Sequence, residues 1–92
     1  MAKLSDQEIE HRLASLKGWK KAGNAIQKQF TCADFKGAMF FVNGVASLAE
    51  RAGHHPDITI NYNRVTLSLS THDAGGITDK DFDLAQRAET LL

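Results

Sequence analysis

Internal disulfide chemistry is the first thing the composition excludes. A single cysteine, Cys32, stands in 92 residues, and a lone thiol fits a reducing compartment. Charge of one sign is equally scarce: eleven Lys and Arg balance eleven Asp and Glu. No basic stripe is concentrated enough to neutralise phosphates, so nucleic acid is not an expected partner. Long apolar runs are missing too. The longest, Ala38 to Val42, is far too short to cross a bilayer. The polar N-terminal stretch carries no apolar segment of the secretory type. A cytoplasmic protein without membrane association is therefore expected. What remains is an ordinary globular balance, 42% hydrophobic and 24% charged. The length suits one domain, residues 1–92, around one modest core.

Ser5 and Glu8 have the spacing of a capping box, with Leu4 and Ile9 placed to staple the helix start. Ile9, Leu13 and Leu16 share one face, and Gly18 closes the run. His11 sits off that stripe among charged neighbours and reads as solvated. Gly23-Asn24 is a tight turn between Trp19–Lys21 and Ala25–Thr31. Ile26 and Phe30 share one strand face there, Gln27 and Gln29 the other. Trp19 is expected in the core or at its edge.

Thr31 with Asp34 opens a second helix that runs to about Ala52, with Gly53 as a left-handed stop. Phe35, Met39, Val42, Ala46 and Ala49 form one row on it. Ala38, Phe41, Val45 and Leu48 form a second, and Phe40 lies outside both. That arc is wider than one packed face needs, so the helix 34–52 is expected to contribute to a subunit interface. Ile58, Ile60 and Tyr62 alternate with polar residues, as do Val65, Leu67 and Leu69. These read as two half-buried strands turning at Asn61-Tyr62-Asn63-Arg64. Thr78 with Asp81 caps a third helix. Its apolar face runs through Phe82, Ala85, Glu89 and Leu92, joined by Leu84, Ala88 and Leu91. The order αββαββα predicts a two-layer α+β fold with a four-stranded antiparallel sheet covered on one face by helices.

Three of the four histidines gather around the second hairpin. For the apolar residues of its strands to share a face, Ile58 must lie opposite either Leu67 or Leu69. The second register sets His55 opposite His72, and the first makes His72 its diagonal neighbour. Pro56, the only proline, removes an amide and stiffens the start of the strand that follows His54 and His55. Three imidazoles suit either metal binding or acid/base work, since the reference pKa of about 6.5 lies near neutrality. Adjacent His54 and His55 tend to point apart, and no Asp or Glu completes a recognised metal spacing, so no metal is expected. A purely structural duty, capping the helix end and bonding the loop, stays open. In the loop from His72 to Thr78, Gly75 and Gly76 would let backbone approach a ligand. Lys80 is placed either to meet an electronegative substrate edge or to be solvated, and Asp81 either to cap or to serve the site.

Taken together, Glu50-x-x-x-His54-His55-Pro56, Tyr62, His72 and Asp81 resemble the signature of the pterin-4a-carbinolamine dehydratase family. Gly18-Trp19, Phe30 with Asp34-Phe35, Ser70-Thr71-His72 and Gly76-Ile77-Thr78 extend the likeness over nearly the whole chain. The resemblance implies a hydro-lyase that dehydrates 4a-hydroxytetrahydropterin to quinonoid dihydropterin without a cofactor, in tetrahydrobiopterin-type recycling. It implies His54, His55 and His72 as the acid/base set, with the acid and the base unassigned between them. Glu50 and Asp81 would orient histidines or contact the pterin, and Pro56 would shape the pocket. Lys80 stands where arginine is common in the family, which keeps the charge but loses forked hydrogen bonding. Family members form dimers, or tetramers through the long helix. Some relatives are instead interaction proteins, a transcription-factor dimerisation cofactor or an assembly chaperone. Those devoted to assembly tend to lose the histidines that this chain keeps.

Overall fold

The computed structural model describes residues 2–92, and Met1 lies outside them. Helix α1 spans Asp6–Leu13 and starts with the full capping box, since Ser5 accepts from the Glu8 amide and Glu8 returns to the Ser5 amide. The helix is shorter than the spacing of Leu16 suggests. After Leu13 the chain tightens into turns, with Ser15 and Leu16 amides bonding three residues back, and Gly18 adopts φ +85°. Leu16 is nonetheless buried, because these turns keep it above the core.

Strand β1 (Lys20–Ala22) and β2 (Ala25–Thr31) form the first hairpin, with Ala22 paired to Ala25 across Gly23-Asn24. Helix α2 runs Phe35–Ala52, and Asp34 alone caps it through the Gly37 amide. Thr31, expected to share that duty, is the last residue of β2. Strands β3 (Asp57–Asn61) and β4 (Arg64–Leu69) form the second hairpin. A short 3₁₀ turn at His72–Ala74 leads to α3 (Asp79–Glu89), capped by Thr78 with Asp81. Helix α3 stops at Glu89, so Leu92 lies beyond its last turn and is exposed rather than on its apolar face.

The sheet is antiparallel with strand order β1-β2-β4-β3. Its centre is the β2·β4 pair, where Ile26 faces Leu69 and Phe30 faces Val65. These residues join Leu67, Ala38, Phe41, Val45, Phe82 and Ala85 in one buried core. Trp19 meets Phe30 edge-on at 5.9 Å, so it serves the core as expected. Lys28 points to the same inner side. Its ammonium lies 2.7 Å from Glu89 of α3, which also accepts the Trp19 indole N–H at 2.9 Å. The last turn of α3 is thereby tied to the sheet through a half-buried carboxylate.

The apolar arc of α2 is wider than its buried stripe, as expected, whereas the reading of the second hairpin needs correcting. On α2 the buried stripe is Ala38, Phe41, Val45 and Ala49, while Met39 and Val42 beside it are half-buried and Phe35 and Ala46 are exposed. Phe40 is 82% exposed and Phe35 52%. The second hairpin is half-buried only in β4. Strand β3 is a sheet edge, so Ile58 is partly covered and Ile60 is open. Tyr62 is not a strand residue at all. It sits in the two-residue turn with φ +54° and is exposed.

Candidate active site

The end of α2 presents the first two histidines. Gly53 takes the left-handed conformation, φ 65°. The His54 amide donates to Ala49 O at 3.1 Å and the Gly53 amide to Glu50 O at 3.2 Å. This is the Schellman pattern, which ends a helix and turns the following residue to a fixed direction. The helix end is therefore capped by the backbone of His54, which leaves its imidazole free for another partner.

That partner is Asp81, at the start of α3. His54 Nε2 lies 2.5 Å from Asp81 Oδ1, and the carboxylate is fully buried. The other oxygen, Oδ2, accepts the Thr71 hydroxyl and the Thr78 amide, each at 2.9 Å. Thr71 and Thr78 hydroxyls are 2.8 Å apart. A threonine hydroxyl carries one hydrogen, and that of Thr71 is given to Asp81, so Thr78 donates to Thr71. Thr78 Oγ1 in turn accepts the Lys80 amide at 3.3 Å. Every donor around Asp81 thus points at it, and a neutral His54 carries its hydrogen on Nε2 and its lone pair on Nδ1. Among the described residues, no buried side-chain nitrogen or oxygen lacks a partner.

The second hairpin takes the register with Ile58 opposite Leu67, the diagonal alternative for His72. Beyond β4 an isolated bridge between Thr71 and Gly76 closes the loop that carries His72. Its glycines serve that closure. Gly75 ends the 3₁₀ turn at φ +76°, and Gly76 is packed so that an added Cβ would lie 3.2 Å from Lys3 Cδ. Neither glycine lines the cleft, contrary to the expectation that they admit a ligand.

His54, His55 and His72 line one open cleft of about 280 Å³, together with Thr71, Asp73 and Lys80. His55 Nε2 lies 2.8 Å from Glu50 Oε1, both groups being exposed. His72 is exposed and makes no side-chain hydrogen bond among the described residues. Three imidazoles therefore face one space in three different states: anchored to a buried carboxylate, paired with an exposed one, and unpaired. Pro56 is half-buried outside the cleft lining. Among the described residues, no group of three His, Cys, Asp or Glu side chains is arranged to hold a metal ion. His11 is exposed on α1, remote in sequence and absent from the lining.

Thr71 is the residue that sequence reasoning missed. It figured only as a neighbour of His72, and no capping spacing marks a threonine that follows a strand. The alternation of β4, in which Val65, Leu67 and Leu69 face inward, continues to Thr71 and is the one signal that could have found it.

Comparison with known proteins agrees with this architecture. A family model described as pterin 4 alpha carbinolamine dehydratase matches residues 2–91. A curated relative from Roseiflexus sp. (strain RS-1), provisionally named pterin-4-alpha-carbinolamine dehydratase, is 57% identical over 90 residues, covering 98% of this chain and 97% of its own. A crystal structure of a transcriptional coactivator/pterin dehydratase from Brucella melitensis superposes with a TM-score of 0.93 at 34% identity, covering 97% of each chain. A pterin dehydratase-like protein described as a RuBisCO assembly factor in the α-carboxysome shares the fold, with a TM-score of 0.69 at 23% identity over 80% of this chain and 88% of its own.

Proposed function

Because the chain belongs to the pterin-4a-carbinolamine dehydratase family and is a hydro-lyase, we propose that it dehydrates 4a-hydroxytetrahydropterin to quinonoid dihydropterin and water in the cleft of His54, His55 and His72. The recycled product belongs to a tetrahydrobiopterin-type cofactor. The observation that carries this reading is the set of three imidazoles on one cleft, one held by a buried carboxylate, one by an exposed carboxylate and one unpaired among the described residues.

The reaction needs one proton delivered and one removed. A histidinium protonates the 4a-hydroxyl, the C4a–O bond breaks, and the lone pair of the adjacent ring nitrogen moves in as water leaves. A neutral imidazole then takes a ring N–H proton. His54 suits the second role, because Asp81 holds its Nε2–H and leaves Nδ1 as the acceptor. His55 and His72 suit the first, since both are open to water and can be reprotonated between turnovers. Glu50 orients His55, Lys80 meets the pterin from the start of α3, and Pro56 holds the backbone behind the pair. The test is turnover of synthetic carbinolamine by the pure protein and by His55→Ala and His72→Ala. Each substitution should cost roughly 10²–10⁴-fold in rate while the fold is kept. Unchanged rates in both variants would sink the assignment.

The whole span 1–92 acts in this reading as one catalytic domain, in the cytoplasm, where the half-buried thiol of Cys32 stays reduced. Phe35 and Phe40, exposed on α2, support homodimers or homotetramers assembled through that helix. Sedimentation velocity of wild type and Phe40→Glu checks this, with a smaller species expected from the variant. The same exposed face supports a second reading, an interaction protein that docks a partner on α2 in addition to or instead of catalysis. A pull-down from native extract, set beside turnover by the pure protein, separates the two.

A further inference from the structure

Next to the histidine cleft lies a second depression of about 240 Å³, between the last turns of α2 and the outer face of α3. His54 and Lys80 line both, so the two spaces adjoin. Leu48, Arg51 and Ala52 form its α2 wall, at the spacing of one helical face. Lys80, Asp83 and Arg87 form its α3 wall, again along one face.

The charge of this groove does not follow from the composition. Acidic and basic residues cancel over the whole chain, yet three cationic side chains meet a single carboxylate here. That carboxylate is already engaged: Asp83 accepts from Arg87 Nε at 3.1 Å, and the terminal guanidinium nitrogens of Arg87 make no other hydrogen bond among the described residues. Arg51 and Lys80 take part in no ion pair among the described residues. Arg51 and Lys80, unpaired among the described residues, and the free terminal nitrogens of Arg87 stand on two facing helices beside His54, and form a receptor for an anion tethered to whatever occupies the adjoining cleft.

We propose that this groove takes an anionic group, a phosphate or carboxylate, carried on the ring substituent of the substrate, and so selects pterins with a charged side chain. The inference rests on the dehydratase reading of the cleft and deepens it. The reacting carbon, C4a, is separated by one ring nitrogen from C6, the carbon that bears the pterin side chain. A pterin seated with C4a at the imidazoles therefore sends that chain out to a neighbouring space. The groove sharing His54 and Lys80 is such a space, and Arg51 and Arg87 stand on its opposite walls.

The experiment is a fluorescence titration of the whole chain with two 7,8-dihydropterins, one bearing a neutral polyhydroxypropyl chain at C6 and the other its monophosphate. Inorganic phosphate serves as competitor. The phosphorylated ligand should bind on the order of tenfold tighter, the size of one charge-assisted contact. The preference should shrink in Arg51→Gln and Arg87→Gln and fade as salt is raised. Inorganic phosphate should weaken the preference only at concentrations far above those of the tethered group. Equal affinity for the two ligands overturns the proposal, as does a preference that survives when Arg51→Gln and Arg87→Gln are combined. Turnover by wild type of both carbinolamines, neutral and phosphorylated, tests the underlying reading separately. If neither is dehydrated, the dehydratase assignment fails, while the titration still decides whether the groove selects an anion.

Discussion

Asp81 anchors His54 from behind the cleft, with 2.5 Å between Oδ1 and Nε2, while its second oxygen is held by Thr71 and Thr78. One side chain thus closes the capping box of α3 and sets the tautomer of an imidazole from the end of α2. Helix start and candidate base share a single carboxylate.

Replacing that carboxylate by an amide separates the two duties. In Asp81→Asn the side-chain oxygen can still accept from the Thr78 amide, but an NH₂ group facing His54 would force the imidazole hydrogen onto Nδ1. Turnover of carbinolamine is expected to fall by roughly 10²–10⁴-fold, the usual worth of a positioned proton acceptor. Circular dichroism and thermal melting should show a folded protein. A rate close to wild type in a folded variant would remove His54 from the role of base.

Gly53→Ala tests the presentation of the histidine pair. No atom lies within 4 Å of the added Cβ, so the substitution acts through the backbone alone. Holding an alanine at φ +65° costs about 1–2 kcal/mol. Urea unfolding should show that loss. Activity should fall as well, because the same left-handed turn aims His54 at Asp81.

Glu89→Ala probes the tie between α3 and the sheet. It removes the acceptor of both the Trp19 indole and the Lys28 ammonium. Lys28 keeps the Lys17 carbonyl as an acceptor, but the Trp19 indole is left without a partner, at about 1–3 kcal/mol. The midpoint of urea unfolding should drop, while turnover at a temperature where the variant is folded should match wild type, since none of these residues lines the cleft.

Glu8 gives a pH dependence of known sign. Hydrogen bonds from the Ser5 backbone amide, then from its hydroxyl, hold the Glu8 carboxyl below its ordinary pKa, with Arg12 adding a smaller pull. A carboxyl with a depressed folded-state pKa stabilises the fold above its unfolded pKa and loses that contribution as pH falls through the folded value. Wild type should therefore exceed Glu8→Gln in stability at neutral pH. The gap should close in acid, below the normal carboxylate range, as followed by thermal melts across that range.

Helix starts and turns were legible because their causes are local. Ser5 with Glu8 and Thr78 with Asp81 each act over three residues and are found where their spacing puts them, whereas on α2 the cap is Asp34 on the Gly37 amide rather than the Thr31–Asp34 pair. The strand pattern also read correctly where neighbours cover both sides of a strand. It misled for β3 and Tyr62, because alternation records which residues are apolar and not whether a strand lies at the edge of its sheet. On α2 the same limit appeared: the sequence showed an apolar arc, and only packing against β4 and α3 selected the stripe through Phe41 and Val45.

The sequence by itself determined the order of helices and strands, the capping boxes of α1 and α3, and the concentration of histidines around the second hairpin. Short-range hydrogen bonds and alternation suffice for these, since each depends on residues a few positions apart. Only the tertiary structure decided that Asp81 would reach His54 across 27 residues, that Thr71 would complete its shell, and that Arg51 and Arg87 would face one groove. Those meetings depend on the choice of hairpin register and on how α2 and α3 pack across the sheet, and neither leaves a spacing in the chain.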